Sequence, residues 1–142
     1  LKIGQSRLRK PSRFQNKEMD KDTYNNYNEL KQFERENKDY FIVMEKRESD
    51  LLIIAPHGGK IEPGTSEIAK GVAGEHFSVY CFEGNKSTKN RKLHITSTNF
   101  DEPRAVKMVT TSQVVIAIHG SCHKQQVVYV GGLNDRLKKQ TL

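Results

Sequence analysis

The chain of 142 residues has no tryptophan and only two cysteines. Two thiols, Cys81 and Cys122, are too few for a disulfide framework, and they form no CxxC pair. A single bridge between them stays open, but two buried thiols is the preferred reading, which suits a reducing compartment or a secreted protein that does without disulfides. Cys122 and His123 beside His119 would need a further soft ligand to make a Cys/His metal cluster, and the spacing supplies none. No apolar run approaches the length of about 20 residues that crosses a bilayer, and no signal peptide establishes export. Aromatic residues make up 8% of the chain without a stacking motif or recognition-helix pattern, which counts against a nucleic-acid-binding module. Neither Gly58-Gly59 nor Gly131-Gly132 opens a GxxxxGK[ST] phosphate loop. Internal repeats and low-complexity segments are missing as well.

What is present is charge. The formal net charge is +7, the pI is near 9.4, mean hydropathy is −0.75 and 29% of residues are charged. This balance favours polyanionic partners: nucleic acid, a polycarboxylate or an anionic cell surface. The bias is uneven, because Lys2, Arg7, Arg9, Lys10, Arg13 and Lys17 crowd the first seventeen positions. Residues 1–19 therefore read as a basic arm and 20–142 as a single α/β domain.

Two distant stretches share one design. Leu51-Leu-Ile-Ile-Ala-Pro-His57 is a short apolar run that stops at a histidine, followed by Gly58-Gly-Lys-Ile-Glu62-Pro-Gly64. On a helix, five residues at about 100° each would set His57 and Glu62 roughly 140° apart; the glycines and proline instead indicate a loop that folds back. Gln113-Val-Val-Ile-Ala-Ile118 is a second apolar run, and it too stops at a histidine, His119. Runs apolar at nearly every position suit strands of a parallel sheet covered on both faces, whose ligands gather outside the carboxyl ends. Two such neighbours would place His57, Glu62 and His119 around one cavity. Two histidines and a glutamate are the ligand set of several catalytic zinc sites, with water in the fourth position. Either histidine alone reads more simply as a strand end; the repetition favours a site.

The remaining pattern predicts a helix from a Thr23 cap with Tyr27, Leu30 and Phe33 on one face and a stop near Asn37. Tyr40–Met44 and Leu51–Ala55 are expected to pair as an antiparallel hairpin. Thr65 or Ser66 opens a helix with Ile68 and Val72 on its apolar face. Phe77–Phe82 and Leu93–Thr98 read as strands, the second with Leu93 and Ile95 inward and His94 outward. His76 is expected to face solvent. Asn99 or Asp101 caps a helix carrying Pro103 and a stripe of Ala105, Val106 and Val109. Val127–Val130 reads as a strand, Gly131-Gly132 as a turn, and Leu133–Leu142 as the opening of a helix. Together these elements describe a three-layer α/β sandwich with a mixed, centrally parallel sheet. Ending on a helix leads to the expectation that the C-terminal portion of the domain is lacking.

Three blocks resemble the zinc-dependent poly-γ-glutamate hydrolases of phages and bacteria, sometimes labelled phage-related replication proteins. They are Ala55-Pro-His-Gly-Gly-Lys-Ile-Glu-Pro-Gly-Thr-Ser-Glu67, Leu93-His-Ile-Thr-Ser-Thr-Asn-Phe-Asp-Glu-Pro103, and Ile118-His-Gly120 with Val127-Val-Tyr-Val-Gly-Gly132. The resemblance covers roughly residues 38–142 and implies a zinc-carboxypeptidase-like fold. It implies one Zn²⁺ per chain on His57, Glu62 and His119, hydrolysis of γ-glutamyl amide bonds, and a general-base glutamate beyond Leu142. It also favours an extracellular or phage-released protein over a membrane-bound one.

Glu67 is the nearest carboxylate in sequence that could take a water proton, though a capping role suits its position equally. Lys60, Arg104 and Lys124 lie beside the three blocks and could hold substrate carboxylates, Arg104 foremost because its planar fork binds bidentately; solvated surface charge is the simpler reading for each. The competing functions are a zinc deacylase or amidase on small N-acyl amino acids, and a basic nucleic-acid-binding module.

Overall fold

β2 (Leu51–Gly59) is the strand on which the rest is assembled. Every residue from Leu52 to Gly58 is buried, as expected of a strand with apolar side chains towards both faces. The computed structural model describes residues 21–121 and 126–141, so the basic arm, Lys124, Cys122 and His123 lie outside the described residues. β1 (Tyr40–Glu45), β3 (Ser78–Gly84) and β4 (Val114–Ala117) complete a four-stranded sheet of order β1-β3-β2-β4. β2 runs parallel to both β3 and β4, and β1 is antiparallel to β3. The sheet is thus parallel at its centre with an antiparallel margin.

Helices cover both faces. On one side α1 (Tyr27–Phe33) and α3 (Pro103–Thr110) bring Tyr27, Leu30, Ala105 and Met108 against Leu52, Ile54, Tyr80 and Phe82. On the other, α2 (Thr65–Ala73) lays Ala69 and Ala73 on Ile53, Ala55, Val79 and Cys81. A last helix, α4 (Asp135–Thr141), follows β4 in the chain.

Several local expectations are corrected. β1 and β2 are not a hairpin: β3 lies between them, because β3 can pair along β2 in parallel and along β1 over six registered positions. Residues 93–98 are no strand but two single turns of 3₁₀ helix, Asn90–Leu93 and Ser97–Asn99, joined by an extended link. Leu93 and Ile95 are nonetheless fully buried, so the alternation reported burial correctly and secondary structure wrongly. Val127–Val130 forms no strand and its side chains are 37–88% exposed; no strand among the described residues lies alongside to supply hydrogen bonds.

On α2 the close approach to the sheet admits alanine, so Ile68 and Val72 face outward. Val106 and Val109 of α3 are exposed too, Met108 taking the inner place. Phe33 ends α1 exposed. The caps also differ: Asn26 rather than Thr23 accepts from the Glu29 amide, and Glu102 rather than Asn99 or Asp101 accepts from Ala105 N–H. Asp101 instead accepts from Tyr27 N–H, tying α1 to the start of α3.

Candidate metal centre

The loop after β2 folds back tightly. The register with β3 shifts between Ala55 and Gly58, and Gly59 takes a φ of +60°, where a side chain would meet the Gly84 carbonyl at 2.6 Å. Glu62 N–H then donates to the His57 carbonyl at 2.8 Å, and Thr65 Oγ1 donates to the Glu62 carbonyl at 2.8 Å. These bonds return the Glu62 carboxylate to the end of the strand that carries His57. β4, alongside β2 and parallel to it, brings His119 to the same end, with Ile118 N–H donating to the Ile54 carbonyl at 2.8 Å.

His57, Glu62 and His119 each present a ligand atom, all within 4.8 Å of one another. Glu62 Oε1 is 3.5 Å from His57 Nδ1, and Glu62 Oε2 is 3.8 Å from His119 Nδ1. Gly120 N–H donates to Glu62 Oε2 at 2.7 Å. Burial of Glu62 acts to raise its pKa, but the facing imidazoles of His119 and His57 and the Gly120 amide outweigh it and hold the carboxyl far below its usual range.

The hydrogen bonds of His57 say which nitrogen is available. Its Nε2 lies 2.7 Å from the Ile95 carbonyl, which can only accept, so Nε2 carries a proton. Its Nδ1 is fully buried with no hydrogen-bond partner. With Nε2 donating to Ile95, Nδ1 faces the Glu62 carboxylate at 3.5 Å, a juxtaposition that a cation shared between them satisfies: a proton, or a metal ion. Metal-bound histidines characteristically anchor the second nitrogen on a carbonyl or carboxylate in this way. The donor set, two imidazoles and one carboxylate, suits zinc.

His94, expected on an exposed face, is instead part of this wall. It stacks on His57 with ring centroids 4.0 Å apart, and its Nε2 is 4.0 Å from Glu62 Oε1. It does face away from the core, as alternation with Leu93 and Ile95 implied, but the site and not bulk water lies on that side. Its presence in the second sequence block was the available signal. His76 is exposed, in line with its reading.

The proposed substrate cations fare unevenly. Arg104 donates from both terminal nitrogens to Glu36, at 2.9 and 2.8 Å, and from Nε to Glu102 at 2.8 Å, so its fork is occupied within the protein. Lys60 is exposed, its Nζ 3.4 Å from the Lys86 carbonyl. Glu67 is exposed in the first turn of α2, whose N-cap is Gly64.

Fold and centre together define an α/β protein with a candidate His₂Glu metal site at the carboxyl ends of parallel strands. Comparison with known proteins narrows that class. The family model described as poly-gamma-glutamate hydrolase matches residues 24–142, and the chain belongs to that family. It is 47% identical over 121 residues to the UPF0714 protein YndL of Bacillus subtilis (strain 168), a match covering 85% of this chain and 47% of YndL. A zinc-free structure of YndL superposes with a TM-score of 0.70, covering 74% of this chain and 51% of that one at 47% identity. A bacteriophage poly-gamma-glutamate hydrolase structure gives a TM-score of 0.66 at 35% identity, covering 68% of this chain and 47% of the other. The chain spans about half the length of the curated relatives it matches.

Proposed function

We propose that the protein is a zinc-dependent hydrolase of γ-glutamyl amide bonds in poly-γ-glutamate, with His57, Glu62 and His119 as the ligands of one zinc ion. The observation that carries this reading is the unpartnered Nδ1 of His57, aimed at Glu62 from a ring whose other nitrogen is anchored. The relatives support it, one being a phage poly-gamma-glutamate hydrolase and another a protein studied in zinc-free form. Bound zinc would supply a Lewis acid and lower the pKa of a coordinated water towards 7.

The chain's own residues do the positioning. Gly120 N–H and the two imidazoles keep Glu62 ionised, and Ile95 keeps His57 in the ligating tautomer. An anionic polymer needs cations beside the reacting bond. A cleft of about 260 Å³ is lined by His94, Lys21, Asp22 and Arg91, and a second of about 390 Å³ shares Lys21, Asp22 and Arg91 with it and adds Lys89 and Lys92. The lysines and the arginine among them replace Arg104 as the side chains suited to carboxylates of the substrate. Glu67 has no part in this reading.

The test is chain shortening of poly-γ-glutamate, followed by size-exclusion chromatography, with zinc-loaded and chelator-treated protein, alongside acid release from N-acyl amino acids. Zinc-dependent shortening of the polymer is expected. Release of acid from N-acyl amino acids without polymer cleavage would replace this reading with the small-amidase alternative.

A further inference from the structure

Asp22 lies two residues before the stretch that matches the family model, residues 24–142, yet it reaches into the metal centre. One carboxylate oxygen accepts from His94 Nδ1 at 2.6 Å and the other from Thr96 N–H at 2.5 Å. These contacts straddle Ile95, whose carbonyl accepts from His57 Nε2. The Ile95 side chain is fully buried, which pins the same residue from the other side. Among the described residues no strand pairs with the link between the two 3₁₀ turns, so the carboxylate substitutes for a strand ladder at this point.

We infer that Asp22 is a positioning residue for the metal centre: by clamping residues 94–96 it aims the Ile95 carbonyl at His57 and so keeps His57 Nδ1 free to ligate. The same carboxylate, which only accepts, sets the proton of His94 on Nδ1 and turns the His94 Nε2 lone pair towards Glu62. Loss of such outer partners costs about 10–100-fold in metal affinity. The inference rests on His57 being a zinc ligand for its affinity arm, but the tautomer arm does not.

The experiment is a long-range ¹H–¹⁵N spectrum of the histidine rings in the zinc-free protein, paired with chelator-competition titration of zinc. In the unmodified chain His57 should carry its proton on Nε2 and His94 on Nδ1; a proton on Nδ1 of His57 alone would overturn the inference, whatever any variant does. In Asp22→Ala the zinc Kd should rise 10–100-fold and the His57 Nε2–H signature should weaken, with far-UV dichroism unchanged. Asp22→Asn, which can still accept from Thr96 N–H, should recover most of the affinity. Zinc affinity within twofold of the unmodified chain in Asp22→Ala would sink the clamp. Failure of the unmodified chain to bind zinc at all would instead sink the ligand assignment, and the ring spectrum would still decide the clamp.

Discussion

The imidazole of His94 lies nearly flat on that of His57, with planes inclined by 25° and centroids 4.0 Å apart. One ring is a candidate ligand and the other a wall, a division of labour that substitution should resolve. His57→Ala and His119→Ala should reduce bound zinc from about one per chain to near zero. His94→Ala should keep the stoichiometry while losing roughly 1–2 kcal/mol of stability, from the stacked pair and the charged hydrogen bond to Asp22. Metal analysis after desalting, with urea denaturation of each variant, checks both.

Zinc binding should strengthen as pH rises. The ligand atoms must be unprotonated to bind the metal, and Glu62 is already held ionised well below the usual range. Affinity should fall on acidification, as protons compete with the metal for its ligands and are released when it binds. Isothermal titration in buffers of different ionisation enthalpy measures the proton count. An affinity indifferent to pH, with no protons released on binding, would sink ligation by titratable side chains.

Arg104→Ala should harm the fold rather than substrate affinity. It strips a partner from Glu102, which is 1% exposed and also bound by Tyr80 Oη and Ala105 N–H, and it unpairs Glu36. A loss of roughly 1–3 kcal/mol is expected for leaving a buried acceptor short of a partner, with KM for the polymer unchanged. The pair is also pH-sensitive. The Arg104 hydrogen bonds hold Glu36 below its normal pKa, so their contribution is present above about pH 4.3 and is lost as pH falls through the lowered folded value. Acid unfolding of the variant should therefore show a shallower slope below pH 4.

Cys81 should resist alkylation. Burial pushes its thiol up to about 11, so at pH 8 iodoacetamide should label it roughly 100-fold more slowly than in the unfolded chain; peptide mapping separates it from Cys122. Because the folded value is raised, the thiol's contribution to stability is intact below about 8.5 and declines as pH climbs through about 11. Cys81→Ala should flatten that alkaline decline.

The parts of the fold legible in the sequence were those whose residues answer to one local demand. β2 announced itself because a strand covered on both faces must be apolar at nearly every position, and it carries His57 near its carboxyl end. β4 showed the same apolar run, but it is an exposed margin of the sheet, so there the run marked a strand and not its burial. The 93–98 stretch misled because alternating burial does not require a ladder: Leu93 is buried from the end of a 3₁₀ turn, and Ile95 from an extended link held by a side chain 72 or 74 residues away in sequence. The pairing of β1 with β3 depends on which strand occupies the middle of the sheet, a long-range competition that the short β1–β2 connection does not record. Asp22 gave no local sign, since its role exists only once residues 94–96 come to rest beside it. Arg104 shows the reverse, a side chain well suited to substrate that the fold had already engaged.

β4 is the last strand in the sheet order, and Val115 and Ile116 on it are 38% and 39% exposed. Among the described residues no strand pairs with its outer backbone, a margin that a further strand, of this protein or of another molecule, can extend. In the 142-residue chain a lysine in place of Val115 or Ile116 should lower any self-association through this margin in light scattering, while leaving His57, Glu62 and His119 untouched.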